Sequence, residues 1–213
     1  GILLLIILSS SFLLPVLPND FWWYLRLGQE IQTNLSVPTV DTYSSTVSGQ
    51  TVSYPMWLAA VVLNGLYKIG DLSAVVFARG IFIAIFYVFL WLICMKKGLP
   101  GWLSTLLTII CALAGANNWA VRPQMFVYFL FGITLFLLSR NNQIFQDPPN
   151  DKSLQKSFSK YFYLLIPIAL LWANLHGSVI ILLFTVIPYF LFQQRNLKFF
   201  LLVILIILAT CIN

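Results

Sequence analysis

The chain is expected to be an all-α, polytopic transmembrane helix bundle with interfacial helices in its first extracytoplasmic loop, and three observations predict this. Of its 213 residues, 60% are hydrophobic and only 8% are charged, against roughly 25% charged in a soluble domain. The apolar residues fall in long unbroken runs instead of alternating, which selects helices over the strands of a lipid-facing barrel. Several of these runs approach the length of a bilayer-crossing helix, about 20 residues with a range of roughly 17 to 25.

Candidate spans are 1–17, 73–95, 101–117, 123–139, 161–175, 177–194 and 199–213. The first opens at Gly1 already inside an apolar run, and the last closes at Asn213 straight after one. Both are expected to be truncated, so residues 1–213 read as a single transmembrane domain cut from a longer protein. A signal-peptide core is the other reading of 1–17, but Ser9–Pro18 carries no small-residue cleavage pattern. Pro167 and Pro188 each remove a backbone donor and predict kinks in their spans.

One polar-enriched stretch breaks the pattern. Asn19 and Asp20 stand where a helix cap belongs. After them Trp23, Leu27 and Ile31 recur every four residues, while Arg26, Gln29, Glu30 and Thr33 fill another face. That is an amphipathic helix, and Trp22, Trp23 and Tyr24 suit a headgroup region. Glu30 is expected to pair with Arg26 at four-residue spacing. The segment PTVDTYSSTVSGQTVSYP reads as loop or short hairpin, with Asp41 in a solvated turn.

Residues 55–70 are short for a span and hold Asn64, Gly65 and Lys68. If they do not cross, Lys96 and Lys97, the loop with Arg140, Lys152, Lys156 and Lys160, and the Arg195/Lys198 turn share one side. The positive-inside rule makes that side the cytoplasm. The segment is therefore expected to be interfacial or re-entrant, and 18–72 to form the first extracytoplasmic loop of a multi-pass inner-membrane protein. The 117–124 and 174–178 turns then share the outer face. The net charge of +6 is absorbed by the cytoplasmic loops, with the bilayer as partner and no nucleic acid.

Cys94, Cys111 and Cys211 show no metal spacing and no paired loop positions. No Walker loop, Rossmann glycine pattern, CxxC pair or GxSxG elbow is present, which leaves ATP-driven chemistry and serine hydrolysis without support. No internal repeat of the solenoid kind is evident.

The candidate site residues lie on the outer face. Asp20 directly follows a span and fits a general base or a holder of a divalent cation beside a phosphate; it fits a helix N-cap equally well. Arg122, next to Pro123 at a helix start, fits an anion site for a lipid phosphate or a snorkelling end residue. Gln124 stands one turn in, able to add a hydrogen bond. His176, the only histidine, fits a ligand or acid/base role as well as a structural turn, with Asn174 beside it. Arg79, about one turn inside its span, is expected to reach outward. Trp119 and Trp172 fit sugar stacking or interfacial anchoring. The residues define no metal site, so the cofactor is unknown.

The run NDFWWYLRLGQEI, then PTVDTYSSTVSG, AVRPQMF and LLWANLHGS, resembles bacterial polytopic membrane proteins of the GT-C superfamily. That group includes protein O-mannosyltransferases and aminoarabinose transferases of lipid A. The resemblance implies transfer of a sugar from a polyprenyl-phosphate donor to an extracytoplasmic glycan, lipid or protein acceptor. It puts Asp20 at the acidic position after the first span, 20–33 and 55–70 as the interfacial helices, and Arg122 or Arg79 on the donor phosphate. Two departures stand out. Tyr24 occupies a position where the group often has histidine, and Asn19 precedes Asp20 where many members have a paired acid. Proteins of the group continue past this point with an Asn-Pro-Tyr-Gly-like turn, of which Asn213 would be the first residue. The rival expectations are a transporter or flippase of a lipid-linked or small polar solute, and a non-catalytic envelope-assembly protein.

Overall fold

The computed structural model describes residues 20–139, 159–193 and 195–213, together with Ile6, Ser9 and Val16. The predicted span 1–17 and the basic loop with Arg140, Lys152 and Lys156 thus lie outside the described residues, apart from those three positions. The described chain is α-helical, with no β-strand. Its helices are α1 (Phe21–Asn34), α2 (Trp57–Lys96), α3 (Gly101–Gly115), α4 (Gln124–Ser139), α5 (Leu165–Leu175), α6 (Ile180–Gln193) and α7 (Leu197–Thr210). Among the described residues, α2 is the one helix long and apolar enough to cross a membrane; the apolar stretches Gln124–Ser139, Lys160–Leu175, Gly177–Gln193 and Leu197–Thr210 have 10–17 residues each.

The boundaries follow local chemistry. In α2 the helix breaks at Gly70 (φ −161°, ψ 36°) and Asp71 (φ 54°, ψ −152°), which divides it into arms 57–70 and 72–96. This is where the polar end of 55–70 meets the apolar run. Pro167 has no N–H to give to the carbonyl four residues back, and the turn before it, Lys160–Leu164, winds as a 3-10 helix instead. Pro188 lies inside α6. Between α1 and α2 the chain makes one isolated bridge, Val40 with Thr51, and Asp41 closes its turn by accepting from the Tyr43 and Ser44 amides at 2.8 and 2.9 Å.

The expected Arg26–Glu30 pair does not form. Arg26 donates to Gln29 Oε1 at 3.4 Å, and Glu30 accepts from the Tyr43 hydroxyl. The loop, folded back over α1 with Trp23 against Tyr43 and Tyr54 at 6.3 and 5.6 Å, claims the carboxylate.

Helix α1 lies on the first arm of α2. Gln32 joins them: its Nε2 donates to the Val61 carbonyl at 3.1 Å, and its Oε1 accepts from Asn64 at 2.8 Å and Lys68 at 2.7 Å. These bonds satisfy the polar residues that made 55–70 ambiguous. At Gly28 the two backbones nearly touch, since a Cβ added there would stand 2.1 Å from the Ala60 carbonyl oxygen.

The second arm of α2 runs beside α4 through aromatic contacts whose order gives the direction. Phe82 meets Phe126 at 5.4 Å, Phe86 meets Phe131 at 6.1 Å and Phe89 meets Phe136 at 5.2 Å. Both series ascend, so the two helices are parallel, with α3 linking them in sequence. Helix α3 is dressed inside out: Ser104, Thr108 and Ala112 are buried while Trp102, Leu106, Ile110 and Leu113 are exposed. Thr108 meets its own need by donating to the Ser104 carbonyl at 2.7 Å.

Gly28→Ala is expected to push α1 off the first arm, because the new methyl meets backbone that cannot yield. The cost is on the order of 1–3 kcal/mol or more, read as a lowered thermal midpoint of the purified chain. Gly65→Ala, with nothing within 4 Å of the new Cβ, should leave that midpoint unchanged or raise it.

Candidate functional site

Three joints bring polar side chains to one place: the start of α1, the 116–123 turn before α4, and the 176–179 turn between α5 and α6. Asp20 heads α1 in helical conformation (φ −84°, ψ 0°) and makes no side-chain cap bond. The capping reading therefore fails on geometry, since a capping residue needs extended backbone to turn its oxygen toward the next amides. Its carboxylate instead reaches Arg122, with Nη2 to Oδ2 at 3.5 Å, and the side chains are 37% exposed for Arg122 and 60% for Asp20. A pair this open is worth about 0–1 kcal/mol to stability.

Arg122 is held by the turn before α4, where its own amide donates to Ala120 and its carbonyl accepts from Met125 at 2.9 Å. It lines a cavity of about 430 Å³ together with Gln124, Asn117, Asn118, His176 and Ser178 on the polar side. Phe86, Val127, Phe131 and Ile181 give the same cavity an apolar wall. A volume of this order suits a small ligand or the head of a larger one.

His176 caps the 3-10 turn Gly177–Val179 with its own side chain. Its Nδ1 accepts from the Ser178 amide at 3.0 Å and lies 2.8 Å from Ser178 Oγ. Burial holds its pKa below the ordinary value of 6.5, because removing an imidazolium from water is costly. Beside the ion pair stands Tyr24, whose hydroxyl donates to Met56 Sδ at 3.5 Å. Burial first, and then the Asp20 carboxylate, raise its pKa, while Arg122 lowers it. Tyr24 is thus a neutral phenol in the field of the acid and the guanidinium.

Three of the expected site residues are placed elsewhere. Asn174 is buried and spent on structure: its Oδ1 accepts from Trp57 Nε1 at 2.8 Å, and its Nδ2 donates to the Leu170 and Ile212 carbonyls, both at 2.8 Å. It ties the start of α2 to α5 and the end of α7, and it does not line the Arg122 cavity. Trp119 is buried, with its ring 5.9 Å from Tyr87, so its face is already taken. Arg79 is fully enclosed at 0% exposure and does not reach outward. Asn117, Asn118 and Ser178 were missed, although their signal was present as polar residues flanking Trp119 and His176 in otherwise apolar sequence. Among the described residues no three His, Cys, Asp or Glu side chains gather in a way that could hold a metal ion.

Comparison of the chain with protein-family models, with curated proteins and with solved structures gives no match.

Two outcomes follow for this region. Asn174→Ala strands a buried indole N–H and a carbonyl, and should lower stability by about 1–3 kcal/mol while leaving ligand binding in the Arg122 cavity intact; thermal melting beside a binding titration checks both halves. For His176 the folded pKa is depressed, so its contribution is fully present above the unfolded value of 6.5 and is lost as pH falls through the lowered folded value. Melting of the wild type should therefore decline as pH falls below 6.5 more steeply than that of His176→Asn, which does not titrate.

Proposed function

We propose that the chain is a multi-pass inner-membrane glycosyltransferase that moves a sugar from a polyprenyl phosphate to an acceptor on the extracytoplasmic face. One observation carries the proposal. Asp20 meets Arg122 at 3.5 Å, and Arg122 lines a cavity whose wall passes from amides and an imidazole to aromatic and aliphatic side chains. An acid and a guanidinium beside a half-polar, half-apolar cavity match an amphiphile with an anionic head.

The membrane setting draws support from the surface. Phe184, Phe192, Leu197 and Leu113 are each more than two-thirds exposed, among many large apolar side chains left uncovered along α3, α6 and α7, which supports a lipid- or protein-facing surface. In a bilayer the same side chains face lipid, and buried small and hydroxyl residues face neighbouring helices, as in α3.

In the proposed reaction the acceptor hydroxyl oxygen attacks the anomeric carbon and its proton passes to the Asp20 carboxylate. The bond from that carbon to the phosphate oxygen breaks, and its electron pair leaves with the polyprenyl phosphate. Arg122 balances the charge that grows on the leaving phosphate. Gln124, Asn117 and Asn118 offer amide groups to the sugar hydroxyls. A transporter would gather its polar groups near the middle of broken helices. Here Asp20, Arg122, Gln124 and His176 all stand at helix ends, which ranks that reading second.

In membranes holding the full-length protein, Asp20→Asn is expected to cut polyprenyl-phospho-sugar consumption about 10²-fold or more. Arg122→Gln should do the same, with Arg122→Lys intermediate. Because the pair is open to solvent, neither change should move stability by more than about 1 kcal/mol, which separates catalysis from folding. Full turnover by Asp20→Asn would end the proposal, as would labelling that reaches positions 20 and 176 from opposite sides of the bilayer.

A further inference from the structure

The turn after α5 gives the chain's one histidine one donor of fixed direction and a hydroxyl beside it. The Ser178 amide donates to His176 Nδ1 at 3.0 Å. The Trp172 indole N–H donates to Ser178 Oγ at 3.1 Å, and that oxygen lies 2.8 Å from the same Nδ1. An amide and an indole only donate. Trp172 occupies one of the two lone pairs of Ser178 Oγ, and the Ser178 amide requires the lone pair on Nδ1, which leaves the hydroxyl as the donor in its contact with Nδ1. One neutral form meets both demands, with Nδ1 bare and the proton on Nε2. In the other tautomer Nδ1–H would face the amide donor, and Trp172, fully buried, anchors the arrangement.

We infer that Trp172 and Ser178 are positioning residues that lock His176 as an Nε2–H donor, so that the cavity ligand meets it with an acceptor oxygen. The identity of that oxygen, a phosphoryl oxygen of the lipid donor, rests on the function proposed above; the tautomer does not. A ring locked this way has no lone pair at Nε2 to take a proton, which leaves proton removal to Asp20. It adds an uncharged donor to the guanidinium of Arg122, and the described residues lining the cavity include no carboxylate to repel an anion.

A single histidine makes the test direct. The intact chain labelled with ¹⁵N-histidine gives one imidazole, and at neutral pH its Nε2 should be of the protonated type and its Nδ1 of the bare type. Ser178→Ala should raise the Nδ1-protonated fraction about fivefold, the worth of one hydrogen bond; Trp172→Phe, which frees Ser178 Oγ to turn, should raise it by less, and Ser178→Thr should keep the wild-type ratio. A turn that served only the fold would leave these fractions unmoved. A predominantly Nδ1-protonated ring in the wild type overturns the inference whatever the enzyme does. Titration with dodecyl phosphate should then shift the Nε2–H resonance in the wild type and not in Arg122→Gln, and dodecanol should leave it in place. A locked ring that ignores dodecyl phosphate upholds the lock and overturns the phosphate ligand, and with it the reading of the cavity as a donor site.

Discussion

The structure depends on one pattern: large apolar side chains lie outward on its helices, and inward polar groups bond largely within the chain. Helix α3 shows the pattern, with Trp102, Leu106, Ile110 and Leu113 outward and Ser104, Thr108 and Ala112 inward. In the bilayer setting proposed above, close contact between helices replaces hydrophobic collapse as the source of cohesion. That explains why Gly28 lies against the Ala60 carbonyl and why Gly132 lies against Phe86 and Phe89. It explains why inward hydroxyls such as Thr108 and Thr134 bond to carbonyls of their own helix. It also explains the effort spent at helix ends, where carbonyls lose their helical partners. Asn174 and Asn213 serve that need, with Asn213 donating to the Pro55 and Ala173 carbonyls, both at 3.2 Å.

The same pattern sets where chemistry can sit. Arg79 is enclosed within its helix, whereas Arg122 and His176 line one cavity from two helix ends and Asp20 reaches Arg122 from a third. The Asp20–Arg122 pair contributes little to folding because water reaches it, so both partners stay available to a ligand. The imidazole is the opposite case. His176 is tied by two bonds and partly buried, and it serves as a fixed, neutral group. In the reaction proposed above, open charges serve binding and reaction and a neutral imidazole serves orientation.

Much of the fold was legible in the chain of letters. The predicted boundaries 73–95, 101–117, 123–139, 161–175, 177–194 and 199–213 match the described helices to within a few residues, because Pro, Gly and Asn punctuate runs of uniform hydropathy. The break at Gly70 and Asp71 falls where 55–70 was set apart by its polar residues. The site was half legible. Arg122, Gln124 and His176 do line one cavity, and Asp20 does reach Arg122. Asn174, Trp119 and Arg79 were grouped with them because sequence position tells which end of a helix a residue occupies and not which way it faces.

What the sequence determined by itself is the helical class, the punctuation between helices and the rows of residues each helix presents, since these follow from hydropathy, periodicity and backbone propensity over a few neighbouring residues. What only the tertiary structure decided is partnership: Asp20 with Arg122 instead of its own helix amides, Glu30 with Tyr43 instead of Arg26, Asn174 with Trp57 and Ile212. Each of those choices joins residues far apart in the chain or sets a local contact against a distant one. Local pairs on a helix are worth only a few tenths of a kcal/mol, so the packing of distant segments outweighs them.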